Sequence, residues 1–132
     1  MRNKEESLQI AVSRYLKLQY PDVIFTSESS GIKLSIGSAV KAKKQRNPER
    51  GLPDLIILEP RCGFSGLCVE LKAEGKSPYL KDGSLSKNKH IQEQNDVLIK
   101  LKEKGYIAKF AVGFDDAKKL IDNYMNQIQN HA

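Results

Sequence analysis

Residues 67–72 read Leu-Cys-Val-Glu-Leu-Lys, and this run constrains the chain more than any other. It is short, apolar at its start and follows a glycine-rich turn, which makes it a strand. Residues two apart on a strand share a face. Glu70 and Lys72 therefore project together, while Val69 and Leu71 face the other way. Two charges on one face of an interior strand are costly unless they are paired or hold a ligand. Two readings follow: a cross-strand salt bridge, or a ligand site.

A second run, Gly51-Leu52-Pro53-Asp54, leads into Leu55-Ile56-Ile57-Leu58. Pro53 fixes its own φ and lacks a donor, so it suits the start or edge of a strand. Asp54 is then either a solvated turn residue or an acid held at the end of a sheet. The short connection, 59–66, makes 55–58 and 67–71 an antiparallel hairpin and lets Asp54 converge on Glu70 and Lys72.

The remaining elements follow from periodicity and breakers. Leu8, Val12, Tyr15 and Leu16 recur at helical spacing over 5–19, and Pro21 ends that helix. Residues 23–26 are β-prone, 27–38 are rich in Ser and Gly, and 39–46 are compatible with a short basic helix. Gly75, Pro78 and Gly83 among lysines predict a mobile loop over 73–85. A second helix is predicted over 87–104, with Gly105 at its C′ position. Residues 106–112 form a strand. Asp115 or Asp116 caps a last helix whose apolar face carries Ala117, Leu120, Ile121, Tyr124 and Ile128. The order α-β-β-β-α-β-α predicts an α/β fold, a mixed sheet flanked by helices. Tyr124, Met125 and Ile128 are available either to the core or to a partner subunit.

At 132 residues the chain is most simply one domain spanning 1–132 and large enough to bury its own core. Cys62 and Cys68 read as reduced cytosolic thiols, and their spacing with two distant His excludes a zinc cluster. No apolar run approaches the ~18 residues of a membrane span. The net charge is +6 and favours a polyanionic partner. Lys33, Lys41, Lys43, Lys44, Arg46 and Arg50 precede the Gly51 run, and Lys76, Lys81, Lys87 and Lys89 follow Lys72. Cations thus flank the candidate chemistry on both sides in sequence.

Two acids beside one Lys suit phosphodiester hydrolysis. The reaction adds negative charge to a phosphorus centre that already carries it. A hard cation held by carboxylate oxygens neutralises that charge and acidifies water. Asp54 and Glu70 fit as ligands, and the Leu71 carbonyl offers a further one. Lys72 fits electrostatic stabilisation of the transition state. At about 100° per residue, Glu5, rather than Glu6, falls on the apolar face of the first helix. It is either a first-turn acid favoured by the helix dipole or a group that reaches the metal. Gln94, rather than Gln92, shares the face of Ile91, Leu98 and Leu101. As an amide in an apolar stripe it either satisfies a buried backbone group or faces the site.

These residues together resemble the PD-(D/E)xK nuclease superfamily and, within it, the virus-type replication-repair nuclease (VRR-NUC) domain. The resemblance runs from the helix carrying Glu5 and Gln9 through Ser29-Ser30-Gly31, Gly51-Leu52-Pro53-Asp54-Leu55 and Val69-Glu70-Leu71-Lys72. It continues to Leu85-Ser86, Gln94 and Gly105-Tyr106. Two departures stand out: Ser29-Ser30-Gly31 replaces a usual Asn-Gly-Gly, and the 73–85 loop is longer than the family norm. The resemblance implies a restriction-endonuclease-like core, with Asp54 and Glu70 as metal ligands and Lys72 as the catalytic lysine. It makes Gln94 the helix glutamine and Glu5 the first-helix acid. It also implies Mg²⁺, with Mn²⁺ able to substitute, and branched DNA such as a four-way (Holliday) junction as substrate. A homodimer acting on a symmetric junction, a phage source and the cytoplasm of a bacterial host belong to the same expectation. Two other readings compete: a metal-free nucleic-acid-binding module, and a sequence-specific restriction-type nuclease.

Overall fold

The computed structural model describes residues 3–27 and 51–127. The Ser29–Gly31 loop, the basic stretch 33–50 and Ile128 lie outside the described residues. Helix α1 (Lys4–Gln19) is followed by strands β1 (Phe25–Ser27), β2 (Leu55–Ile57) and β3 (Leu67–Lys72). Helix α2 (Lys89–Glu103), strand β4 (Ile107–Val112) and helix α3 (Gly113–Met125) complete the order. The sheet order is β1-β2-β3-β4. β1–β2 and β2–β3 are antiparallel, whereas β3–β4 is parallel with α2 as the crossover. Among the described residues this is the α-β-β-β-α-β-α order and the mixed sheet that the sequence predicts.

Strand parity sorts the core into two layers. Leu55, Ile57, Leu67, Val69 and Leu71 pack against Leu8, Val12 and Leu16 of α1 and Ala117, Ile121 and Tyr124 of α3. On the opposite face Cys68, Ala108 and Phe110 pack against Leu98 of α2. β3 is thus covered on both faces, and all six of its residues are buried. Tyr124 and Met125 are also buried in this core, so neither offers its side chain to a partner. Gly66 has a packing reason: a Cβ there would sit 2.5 Å from the Ile57 carbonyl oxygen. Gly105, at φ 97°, ends α2 in the left-handed region, as its sequence position predicts.

A polar cluster fixes α1 to α3. Asp122 Oδ1 accepts from the hydroxyls of Tyr15 (2.5 Å) and Tyr20 (2.7 Å), and Oδ2 accepts from Lys118 Nζ at 2.9 Å. Burial alone would raise the Asp122 pKa, but these hydrogen bonds outweigh it and hold the carboxyl below its ordinary value. Burial, together with the contact to Asp122, pushes Tyr20 up to about 12.

Two expectations are corrected. Residues 73–85 form a loop, as expected, but not an open one. Tyr79 bridges Leu85 in antiparallel fashion, Leu80 N–H donates to Ser84 O at 2.7 Å, and Ser86 N–H donates to Pro78 O at 2.8 Å. Pro78 is fully buried. Gly83 supplies the turn, at φ 87°, so the breakers build a hairpin instead of dissolving one. Nor does Asp115 or Asp116 cap the last helix. That helix begins at Gly113 with Val112 as N-cap, and Asp116 Oδ2 accepts from Val112 N–H at 2.8 Å. The carboxylate thus satisfies the N-cap backbone from inside the helix, whose N-cap lies three residues before Asp115.

Candidate active site

The site grows from a mismatch in strand length. β2 pairs with β3 only from Leu67 to Val69, so 70–72 run past its end. Because Leu55 pairs with Val69, Asp54 stands one register step beyond, opposite Glu70 and on the same face. Pro53 brings the chain into that position without a donor to satisfy. Asp54 Oδ2 accepts from Leu71 N–H at 2.9 Å, so the acid caps the exposed edge of β3. The N–H and C=O of one strand residue face the same side. The Leu71 carbonyl is therefore directed to the same edge.

Glu70 and Lys72 lie on the α2 face of β3 and are 6% and 7% exposed, respectively. Gln94 of α2 donates from Nε2 to Glu70 Oε1 at 3.1 Å. Its own Oε1 is buried without a partner among the described residues. The alternative in which Gln94 serves a buried backbone group is therefore not realised; its donor goes to Glu70. Among the described residues no salt bridge to Lys72 is seen. The ammonium lies instead 6.0 Å from the centroid of the Phe110 ring.

A cleft of about 350 Å³ joins these residues, lined by Glu5, Gly51, Leu52, Asp54, Glu70, Lys72, His90, Glu93 and Gln94. All five candidate side chains thus meet in one place. Glu5 comes from the first turn of α1, whereas Glu6 does not line the cleft and donates its backbone N–H to the Asn3 cap. Gln92 is likewise spent elsewhere, on Ser86 O at 2.7 Å. Sequence reasoning passed over His90 and Glu93. His90 lies one helical turn before Gln94 and was readable by the same i, i+4 rule. Glu93 was not, since it adjoins Gln94 at the exposed edge of the apolar stripe.

The cleft carries four carboxylates against one ammonium and one imidazole. Such a field draws cations. Among the described residues no three His, Cys, Asp or Glu side chains form a closed metal cage. The donors side by side are two carboxylates, Asp54 and Glu70, with a carbonyl next to them. That set does not suit Zn²⁺, which prefers a tetrahedral N/S cage. It fits Mg²⁺, which keeps several waters and takes one or two carboxylates plus substrate oxygens.

The sequence matches no family model and no curated protein. Among solved structures it is similar to one described as "VRR_NUC domain protein", at 24% identity and a TM-score of 0.62. The match covers 95% of this chain and 90% of that one. The chain has the VRR_NUC fold. The cleft lies at the β2–β3 edge of that fold, where α1 and α2 close on the sheet from opposite faces. No described helix is long and apolar enough to cross a membrane.

Proposed function

We propose that this VRR_NUC-fold chain is a metal-dependent DNA endonuclease that hydrolyses phosphodiester bonds in branched DNA. The observation that carries this reading is the sign of the cleft. Four acids surrounding a buried lysine repel a polyanion unless a cation is bound between them. A metal-free nucleic-acid-binding module would gain nothing from Asp54 and Glu70 at this position. The same excess of acid distinguishes catalysis from plain phosphate capture.

Asp54 and Glu70, with the Leu71 carbonyl, would hold Mg²⁺, and Mn²⁺ would substitute. When bound, the ion would supply charge neutralisation and make a nearby water more acidic. The protein's own residues set the geometry. Leu71 N–H fixes Asp54, and Gln94 Nε2 fixes Glu70, so both acids are oriented before substrate arrives. Lys72 sits two residues along the same face and stabilises the charge that develops on the phosphoryl oxygens. Its burial strengthens that interaction relative to one in water. Glu5 stands at the cleft mouth, where it would act on the metal through water.

A four-way junction is the substrate class we assign, with a twofold dimer supplying two such clefts. Function in the cytoplasm belongs to this proposal. The experiment is a cleavage panel of labelled four-way junction, flap, splayed arm and linear duplex, each with Mg²⁺ and with chelator. Metal-dependent nicking of the branched substrates at a higher rate than the duplex is expected. Cutting of the linear duplex at one fixed sequence would instead favour the restriction-type reading. Binding without cutting at any metal concentration would favour the non-catalytic one.

A further inference from the structure

The acidic cleft leaves a question of affinity. A surface that repels phosphate at its centre needs cationic and stacking contacts at its rim if nucleic acid is to dwell there. One rim element offers both. The hairpin 78–86 leaves the end of β3 and leads into α2, so it lies between Lys72 and the helix turn that carries His90. Tyr79 and Leu80 stand on it, each 48% exposed. Lys76, Lys81, Lys87 and Lys89 flank them in sequence and are all exposed.

The element is closed by its own contacts. Its bridge and backbone hydrogen bonds close the hairpin, and Asp82 Oδ1 accepts from both the backbone N–H and the hydroxyl of Ser84. Pro78 anchors it in the core, and Gln92 Nε2 ties Ser86 O to α2. Tyr79 packs edge-on against Phe110, with centroids 6.1 Å apart at 86°. Phe110 is the same ring that lies beneath Lys72 at 6.0 Å. One ring therefore links the half-exposed aromatic to the ammonium of the candidate site. Among the described residues, Phe110 covers only part of Tyr79, and about half of Tyr79 and of Leu80 is left open to solvent.

We infer that the 78–86 hairpin is a nucleic-acid-contacting element in which Tyr79 and Leu80 stack against an unpaired base beside the scissile phosphate. The neighbouring lysines hold the flanking phosphates. The hairpin thereby selects DNA with an unstacked base, such as a branch point or gap, over continuous duplex. This deepens the nuclease reading by naming what selects the substrate, and it rests on that reading only in placing a phosphodiester in the cleft.

The test uses the full chain and measures binding, not cleavage. An Asp54→Asn protein, so that nothing is cut, is titrated by anisotropy against a duplex and the same duplex with a one-nucleotide gap. 2-Aminopurine stands at the base facing the gap. Tighter binding of the gapped DNA and a change in 2-aminopurine emission are expected. Tyr79→Leu keeps an apolar contact with Phe110, and Leu80→Ser alters a half-exposed position, so both fold. Together they should weaken gapped-DNA binding on the order of tenfold, leave duplex binding within twofold and abolish the emission change. Lys81→Ala with Lys87→Ala should weaken both DNAs alike and reduce the salt dependence by about two phosphate contacts. Equal loss on both DNAs in the Tyr79/Leu80 variant, no loss on either, or no binding by the parent would overturn the inference. Wild-type protein that fails to cut but keeps the gapped-DNA preference would refute the nuclease reading alone.

Discussion

Gln94→Leu separates a residue that orients a metal ligand from one that merely fills a helix face. Two terms of opposite sign decide its effect on stability. The Nε2–H donor to Glu70 Oε1, at 3.1 Å, is a hydrogen bond to a charged group, ordinarily contributing about 1.5–3 kcal/mol. The partnerless, buried Oε1 costs about 1–3 kcal/mol. Leucine deletes both and fills a similar volume. The net change should stay within about 1.5 kcal/mol, or roughly 5 °C in Tm for a chain of this length. Function should respond differently. Glu70 loses the amide donor of Gln94, and losing such an outer contact typically costs 10–100-fold in metal affinity or activity. The assay is initial cleavage rate against Mg²⁺ concentration, run beside a thermal melt. The expected outcome is a half-saturating Mg²⁺ concentration raised by an order of magnitude or more, with Tm nearly unchanged. A Mg²⁺ curve within twofold of wild type would refute the role. A Tm loss well beyond 5 °C would make Gln94 a structural residue.

Other perturbations have equally definite outcomes. Gly66→Ala forces a Cβ to 2.5 Å from the Ile57 carbonyl oxygen, which is backbone and cannot swing aside. A loss of about 1–3 kcal/mol in urea unfolding is expected, and unchanged stability would mean that β2 and β3 can separate freely. The Asp122 carboxyl lies below its ordinary range, so its stabilising contribution is present above the unfolded value of about 3.9 and fades as pH falls through the folded one. Tyr20, raised to about 12, behaves oppositely: its contribution is intact below the unfolded value near 10 and fades as pH rises toward 12. Tyr20→Phe should therefore make the fall in urea midpoint between pH 10 and 12 shallower, and an unchanged fall would contradict the assignment.

Much of this arrangement was readable because strand and helix periodicities are strict. Period two placed Glu70 with Lys72, and the 3.6-residue turn preferred Glu5 to Glu6 and Gln94 to Gln92. The structure brings each of those residues to the cleft. What was not readable depended on contacts far apart in sequence. The difference in length between β2 and β3, which opens the edge that Asp54 caps, is a matter of pairing and is invisible to local pattern. Gly75, Pro78 and Gly83 signal turns, and a single strand cannot show that those turns close a hairpin over Phe110. The start of α3 moved for a local reason. Asp116 reaches back to Val112 N–H, whereas the sequence suggests an acid standing before the helix. His90 was missed because an exposed first-turn histidine carries no signal until Gln94 fixes the face that matters.

The central claim is that Asp54, with Glu70, holds a metal that drives phosphodiester hydrolysis. Asp54→Asn tests it most directly, because asparagine still offers an oxygen to Leu71 N–H and so preserves the capped edge of β3. The measurement is the single-turnover cleavage rate of a four-way junction by wild type and Asp54→Asn across a Mg²⁺ titration. Wild type should cut with saturable Mg²⁺ dependence, while the variant binds the junction, melts within a few degrees of wild type and shows no cleavage at any Mg²⁺ concentration. Undiminished cutting by Asp54→Asn, or cutting by wild type in chelator, would contradict it.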